Sequence, residues 1–303
     1  MIDGHAGLTY GFKACASDGS LTPYVLKLGP AGVRRSGSTD IFRQAQLLRT
    51  LREAGYPAPY VPWACAADAP LGAPFIVMER LPGRTFIIWE PSPALVREAA
   101  ELPRMWIDTA RAMGQLHRLP WRKHLEDWEA PTTLTAELER WSALLHHTDE
   151  PAWLDLAGTL HTALRRDIPS SCEVGVVHGD FQPGNVLFEH GRLTGVIDWD
   201  LAGIGPQGLD VGWLLLMADR ESWAEGWKPV APPPRSDLLN AYWRAGGRQR
   251  TDLNWYQAFA CFRLAAISGL NLKLHRSGRR RDAVWEKFAP SIRVMLERGK
   301  ALL

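Results

Sequence analysis

VGVVHGDFQPGNVLFEHGRLTGVID, residues 174–198, reads as strand, polar loop, strand, tight turn, strand. Val174 to Val177, Val186 to Phe188 and Leu193 to Ile197 are short β-branched or apolar runs, and Gly191 marks the turn between the last two. The first loop carries His178, Asp180 and Asn185, and the last run ends on Asp198. Clustered acids repel one another, so such a gathering predicts a cation or a reacting hydroxyl among them. A phosphoryl-transfer site is the reading.

The residue types and their order support that chemistry. Asp180 and Asn185 have the spacing of the kinase catalytic loop, HRDxxxxN, in which the aspartate accepts the acceptor hydroxyl's proton and the asparagine binds a metal. A carboxylate and a carboxamide supply hard oxygen ligands suited to Mg²⁺, and a further carboxylate beside a hydroxyl can orient and deprotonate it. A polar turn whose Asp and Asn bond only to local backbone would explain any one of these residues, but poorly explains all three.

Composition bounds the rest. A chain of 303 residues exceeds the size of one hydrophobic core, which predicts two lobes. Hydrophobic content of 46% and charged content of 22% describe an ordinary globular protein, and a formal charge of +2 argues for neither nucleic acid nor an anionic membrane as main partner. Cys15, Cys65, Cys172 and Cys261 form no CxxC pair, which argues against a zinc site or a disulfide scaffold. With no signal-peptide pattern after Met1 and no membrane-spanning run, a cytoplasmic protein is expected.

Outward from the central stretch, Leu8 to Ala16 and Tyr24 to Leu28 read as strands around Asp18-Gly19. A helix is expected from about Asp40 to Glu53, capped by Ser38 or Thr39, then a strand near Tyr60 to Ala64 and another at Pro74 to Glu79. Leu81-Pro82-Gly83 breaks the chain sharply and is read as the hinge. Helical patterns follow at 103–118, 134–146, 152–166, 208–218, 235–245, 252–275 and 283–298.

HGDFQPGN followed by TGVIDWD resembles the motifs of the aminoglycoside phosphotransferase family, small-molecule relatives of the protein kinases. The resemblance covers nearly the whole chain. It implies an α+β, two-lobe protein-kinase-like fold: residues 1–80 a small, mostly β nucleotide lobe, residues 81–303 a larger, mostly α catalytic and substrate lobe. YVLKL resembles the strand carrying the family's phosphate-binding lysine, here Lys27, and GAPFIVMERLPG the strand whose backbone from Glu79 to Leu81 would hold adenine. Asp180 would be the catalytic base, with Asn185 and Asp198 the metal ligands for an ATP and Mg²⁺ reaction on a small-molecule hydroxyl. Asp200 would contact substrate or support the metal site, and Asp210 would brace the catalytic loop or cap the helix it opens. His178 would orient that loop.

Two positions depart from the family. Where a helix glutamate normally pairs with the lysine, this chain has Gln44, which loses the ion pair; Glu53 lies too near the helix end to replace it. The phosphate-covering loop is reduced to Gly7-Leu-Thr-Tyr-Gly11, with Gly7 and Thr9 as phosphate contacts. These departures keep a nucleotide-binding pseudokinase or regulatory module as the alternative.

Gly203-Ile-Gly-Pro-Gln-Gly208 satisfies GxGxxG, but Pro206 removes a donor and no strand follows the helix, so a glycine-rich loop is preferred to a dinucleotide site. Arg279 to Arg281 read as solvated surface, and Trp243, Trp255, Tyr256 and Trp285 as core rather than a substrate cage. Without an acidic substrate pocket in view, a polycationic antibiotic is a poor acceptor; hydroxylated metabolites, choline-like amines and acyl thioesters with a free hydroxyl remain open.

Overall fold

The computed structural model describes residues 8–30, 37–67, 71–90, 101–145 and 150–303. Its first part is a four-stranded antiparallel sheet in the order β1-β2-β4-β3, from β1 (Leu8–Cys15), β2 (Leu21–Leu28), β3 (Trp63–Cys65) and β4 (Phe75–Glu79). The β1–β2 turn needs Gly19, whose φ of +82° an L side chain would strain. Register pairs Thr9 with Lys27 and Lys27 with Ile76, which turns the lysine toward the sheet's covered face; it is 7% exposed.

Helix α1 (Gln44–Glu53) buries Gln44, Leu47, Leu48 and Leu51, one stripe at helical spacing. It begins four residues later than the sequence suggests, with Arg43 rather than Ser38 or Thr39 at its N-cap position. Gly37–Thr39 instead form a 3-10 turn, and the chain bends so that Ile41 enters the core while Arg43 reaches across to Glu129 and Ala202.

The remaining elements form the larger, mostly helical part. A short β5 (Arg84–Thr85) joins β7 (Val186–Glu189) and β8 (Arg192–Val196) in one sheet, while β6 (Val174–Val177) pairs separately with β9 (Gly203–Pro206). The helices are α2 (Leu102–His117), α3 (Trp121–Leu125), α4 (Leu134–Leu145), α5 (Pro151–Arg166), α6 (Gly208–Ala218), α7 (Arg235–Arg244), α8 (Leu253–Arg276) and α9 (Val284–Leu302). Buried residues occur all round α8, the mark of a central helix, and α4, α6 and α9 pack on it. Helix α6 approaches so closely that a Cβ at Gly212 would lie 2.2 Å from the Tyr256 carbonyl oxygen.

One expectation is corrected. The first strand of residues 174–198, Val174–Val177, takes Gly203–Pro206 as its partner. The glycine-rich segment is therefore strand β9, held by buried Ile204 and by Gly205, which lets Thr132 approach its Cα. Since β6 and β9 run antiparallel, the GxGxxG pattern does not open a parallel βαβ unit. Trp255 and Tyr256 are buried core, and Arg279–Arg281 are exposed. Among the described residues, no helix is long and apolar enough to cross a membrane, and the cysteines are free thiols.

Candidate active site

Strand β6 leads into His178, which is fully buried. The next residue, Gly179, has a φ of +82°, and a Cβ there would come 2.4 Å from the Leu201 carbonyl oxygen, so the loop's first turn requires glycine. Both residues present backbone N–H groups to one carboxylate: His178 N donates to Asp210 Oδ2 at 2.7 Å and Gly179 N to Oδ1 at 2.8 Å. Asp210 sits in the first turn of α6 and also meets His117 Nε2 at 3.2 Å. Burial would raise this carboxyl's pKa, but the hydrogen bond and charge of His117, with His178, carry it below the ordinary value. Asp210 thus braces the loop, as the sequence suggests.

The His178 ring ties this loop to the next. Nε2 lies 2.9 Å from the Ile197 carbonyl, which can only accept, so Nε2 carries the proton; Nδ1 then accepts from Asp180 N at 3.2 Å. Ile197 N in turn donates to the Asn185 carbonyl at 2.9 Å. These bonds bring Asp180, Asn185 and Asp198 together from two separate segments.

Asp180 is held on both oxygens. Trp213 Nε1 donates to Oδ1 at 2.6 Å and Gln182 Nε2 at 2.9 Å, while Asn185 Nδ2 donates to Oδ2 at 2.8 Å. Three donors fix the carboxylate plane and keep lone pairs directed. Beneath it, buried Arg263 donates to the Gly179 carbonyl at 2.6 Å, with its guanidinium 4.5 Å from the Trp213 ring centre and 4.7 Å from that of Trp141. Burial pulls the guanidinium's pKa down, and Asp180 is first among the carboxylates that hold it up. Sequence reasoning missed Gln182, Trp213 and Arg263. Gln182 lay inside the quoted motif, but nothing in their spacing joined Trp213 and Arg263 to Asp180.

Across the cleft, Lys27 Nζ is ion-paired with Asp200 and lies 3.7 Å from Asp198 Oδ1. Gln44 Nε2 donates to the same Asp200 Oδ1 at 2.7 Å. The expected Lys27–Gln44 contact is therefore replaced by a shared carboxylate, supplied by the residue two positions beyond Asp198. Glu53 is exposed and plays no part.

Asp198 has a left-handed backbone, φ +65°, that turns its half-exposed side chain toward Lys27. Its carboxyl is pushed above the ordinary range by lost hydration, then by Asp200 and Asp180, against the pull of Lys27. Negative charge here exceeds what one lysine balances. The donor set suits Mg²⁺: Asp198 offers carboxylate oxygens, and among the described residues no hydrogen bond reaches Asn185 Oδ1. No three His, Cys, Asp or Glu side chains converge as a closed cage among the described residues, which is normal for an ion that keeps water and substrate phosphates as ligands.

The other expected contacts are placed unevenly. Thr9 stands opposite Lys27 on β1, and Gly7 lies outside the described residues. Glu79 N donates to Tyr60 O and Arg80 N to Pro23 O, while its carboxylate pairs with Arg52 at 3.4 Å. The Leu81 side chain covers Gly195, and among the described residues its backbone N–H makes no hydrogen bond.

A cavity of about 300 Å³ opens beside Gly179 and Asp200, lined also by Arg43, Glu129, Glu137, Arg140, Trp141 and Arg263. Arg43 pairs with Glu129 at 2.9 Å and Arg140 with Glu137 at 3.6 Å, so the cavity carries no surplus of acid.

Residues 12–258 match the model of the phosphotransferase enzyme family. A candidate aminoglycoside phosphotransferase of Ralstonia eutropha superposes with a TM-score of 0.75 at 22% identity, over 99% of this chain and 94% of that one. An amicoumacin kinase, solved with AMP-PNP, Ca²⁺ and amicoumacin, gives a TM-score of 0.62 at 17% identity, over 99% and 87%. Among curated proteins, the Arabidopsis thaliana protein named "Probable acyl-CoA dehydrogenase IBR3" is 30% identical over 276 residues, covering 83% of this chain and 33% of its own. Acyl-CoA dehydrogenase family member 11 of Gallus gallus is 25% identical over 298 residues, covering 92% and 37%. The chain spans about a third of the length of these curated relatives.

Proposed function

The chain belongs to the phosphotransferase enzyme family, and on that premise we propose that it transfers the γ-phosphoryl group of ATP to a hydroxyl of a small molecule. In this reading residues 1–80 bind the nucleotide and residues 81–303 carry the chemistry and the acceptor. Asp180 takes the acceptor hydroxyl's proton as the oxygen attacks the γ-phosphorus and ADP departs. Lys27 holds the α- and β-phosphates, Thr9 and Gly7 approach them, and the backbone from Glu79 to Leu81 receives adenine. Asn185 and Asp198 hold Mg²⁺, which would neutralise charge on the transferring group.

The observation that supports this best is the Asp180 carboxylate, fixed by three N–H donors on the same hydrogen-bonded frame that carries Asn185 and Asp198. Positioning supplies most of a phosphoryl-transfer rate, and this frame is a positioning device. The pseudokinase alternative drew on Gln44. It loses force because Asp200 gives Lys27 a carboxylate partner by another route.

For the acceptor, the charge-balanced cavity beside Gly179 disfavours polycations. The acyl-CoA dehydrogenase names of the curated relatives favour hydroxylated acyl thioesters among the acceptors still open. ADP release should be measured with Mg²⁺ and ATP over a panel of hydroxyacyl thioesters, hydroxylated metabolites, choline-like amines and aminoglycosides. Nucleotide binding without turnover across the panel would favour the pseudokinase reading, and binding of NAD but not ATP would overturn both.

A further inference from the structure

The β6–β9 ladder has two ends. At one, Val177 and Gly203 border the cavity beside the catalytic loop. At the other, Val174 and Gln207 border a second and larger cavity, of about 730 Å³. The ladder between them spans four residue pairs, roughly 10 Å of strand. A molecule in the second cavity would lie behind the catalytic loop, away from the face carrying Lys27 and Asp180.

This second cavity is strongly basic. Arg118, Arg122, Lys123 and Arg248 line it, and none of them makes an ion pair among the described residues. The one carboxylate on the wall, Glu173, is already neutralised by Arg250, which also grips Asp252 at 2.6 Å. Four uncompensated cations around one concavity repel one another and so favour an anionic occupant.

Two of the four are positioned rather than free. Arg122 lies over the Trp121 ring, 4.6 Å from its centre, and that ring is anchored by its Nε1–H to the Val174 carbonyl at 3.0 Å. The Arg118 stem runs over Gly246, where a Cβ would come 2.8 Å from Arg118 Cδ; only a glycine, at φ +111°, leaves that path open. Guanidinium groups so held suit the paired oxygens of phosphates. The cavity's size also falls within the roughly 300–1,000 Å³ of small-molecule sites.

We infer that this cavity is a second binding site, for the diphosphate group of a small molecule, separate from the nucleotide cleft. Its floor includes His117, whose carbonyl accepts from Gln207 Nε2 at 2.8 Å and whose ring meets Asp210. An occupant would therefore sit one residue away from the brace of the catalytic loop, the place of an effector rather than a substrate. The inference stands on this cavity alone and does not depend on the proposed reaction.

Inorganic pyrophosphate is the probe, titrated calorimetrically into the full chain at constant ionic strength. Arg118→Ala/Arg122→Ala/Lys123→Ala/Arg248→Ala should weaken binding by about tenfold or more, since each lost cation removes a charge-assisted contact. Lys27→Ala, which strips the nucleotide cleft of its lysine, should keep the affinity. Arg122→Glu/Lys123→Glu, changed only at exposed positions, should abolish binding and serves as the check if the fourfold variant melts early. Loss of binding in Lys27→Ala with retention in the basic-cavity variants would place pyrophosphate in the nucleotide cleft and overturn the inference, as would no binding to the unaltered chain.

Discussion

Lys27, on a strand of the small sheet, takes its ion-pair partner from Asp200, more than 170 positions away and just past the end of β8. Gln44 completes the set by donating to the same carboxylate oxygen. In this chain the role of a helix glutamate is divided between a neutral amide on the helix and an acid on the opposite side of the cleft.

Restoring a glutamate on the helix should therefore harm the protein. Gln44→Glu replaces a 2.7 Å hydrogen bond to Asp200 with two carboxylates in contact, both largely shielded from water. A loss of about 1–3 kcal/mol is expected. The new acid's folded pKa would be raised, so the penalty is present at neutral pH and relieved as pH falls through that value. Denaturant melts at several pH values check this; a stabilised variant would refute the shared-carboxylate arrangement.

Asp180→Asn keeps size and most contacts but removes the proposed base. Turnover should fall by roughly 10²–10⁴-fold, the usual contribution of general base catalysis. The thermal shift given by an ATP analogue with Mg²⁺ should remain.

Trp213→Phe deletes the 2.6 Å hydrogen bond to Asp180 while keeping a ring for Arg263 to lie on. A bond to a charged group is worth about 1.5–3 kcal/mol, so kcat should drop roughly tenfold to a hundredfold. The KM for ATP should hold. An effect on KM alone would show that the indole does not position the base.

Asp198→Asn should raise the melting temperature of the nucleotide-free protein at neutral pH. The carboxyl's folded pKa lies above its unfolded one, so its charge opposes folding at higher pH, and that opposition fades as pH falls toward about 4. Asparagine tolerates the left-handed backbone, so no strain is added. With Mg²⁺ and an ATP analogue the order should reverse, the wild type gaining stability and the variant little.

Asp210→Asn should have the opposite signature. The carboxylate receives two backbone N–H groups inside the core, and an amide can satisfy only part of that set, at a loss of about 2–4 kcal/mol. Its folded pKa is depressed, so this stability is present above the unfolded value and is lost as pH falls through the folded one. Wild type and variant should converge in acid.

Residues grouped by local spacing were legible in the sequence. Asp180, Asn185 and Asp198 stood out as candidates by position in one motif, and the strands beside them by β-branched composition. Gly203 to Pro206 hid because two glycines and a proline look like a loop, whereas its strand character comes from pairing with Val174–Val177 and from the burial of Ile204. Trp213 and Arg263 hid for a related reason. Each lies in a helix where apolar spacing predicts core, and only tertiary approach turns an indole N–H and a guanidinium toward the catalytic loop. Lys27's acidic partner was missed because the motif's partner position, on helix α1, holds the neutral Gln44, while the acid actually used is brought by the fold.

Ile197 carries a consequence of another kind. Its N–H is spent on the Asn185 carbonyl and its C=O on the His178 ring, so a single aliphatic residue clasps the loop that carries Asp180 to the turn that carries Asp198. Its main-chain groups, not its side chain, carry that clasp. Exchange for valine or leucine leaves every link of the clasp in place, whereas proline would cut it. The address of the site is thus written partly in the main chain, at a position that side-chain chemistry alone would pass over as ordinary.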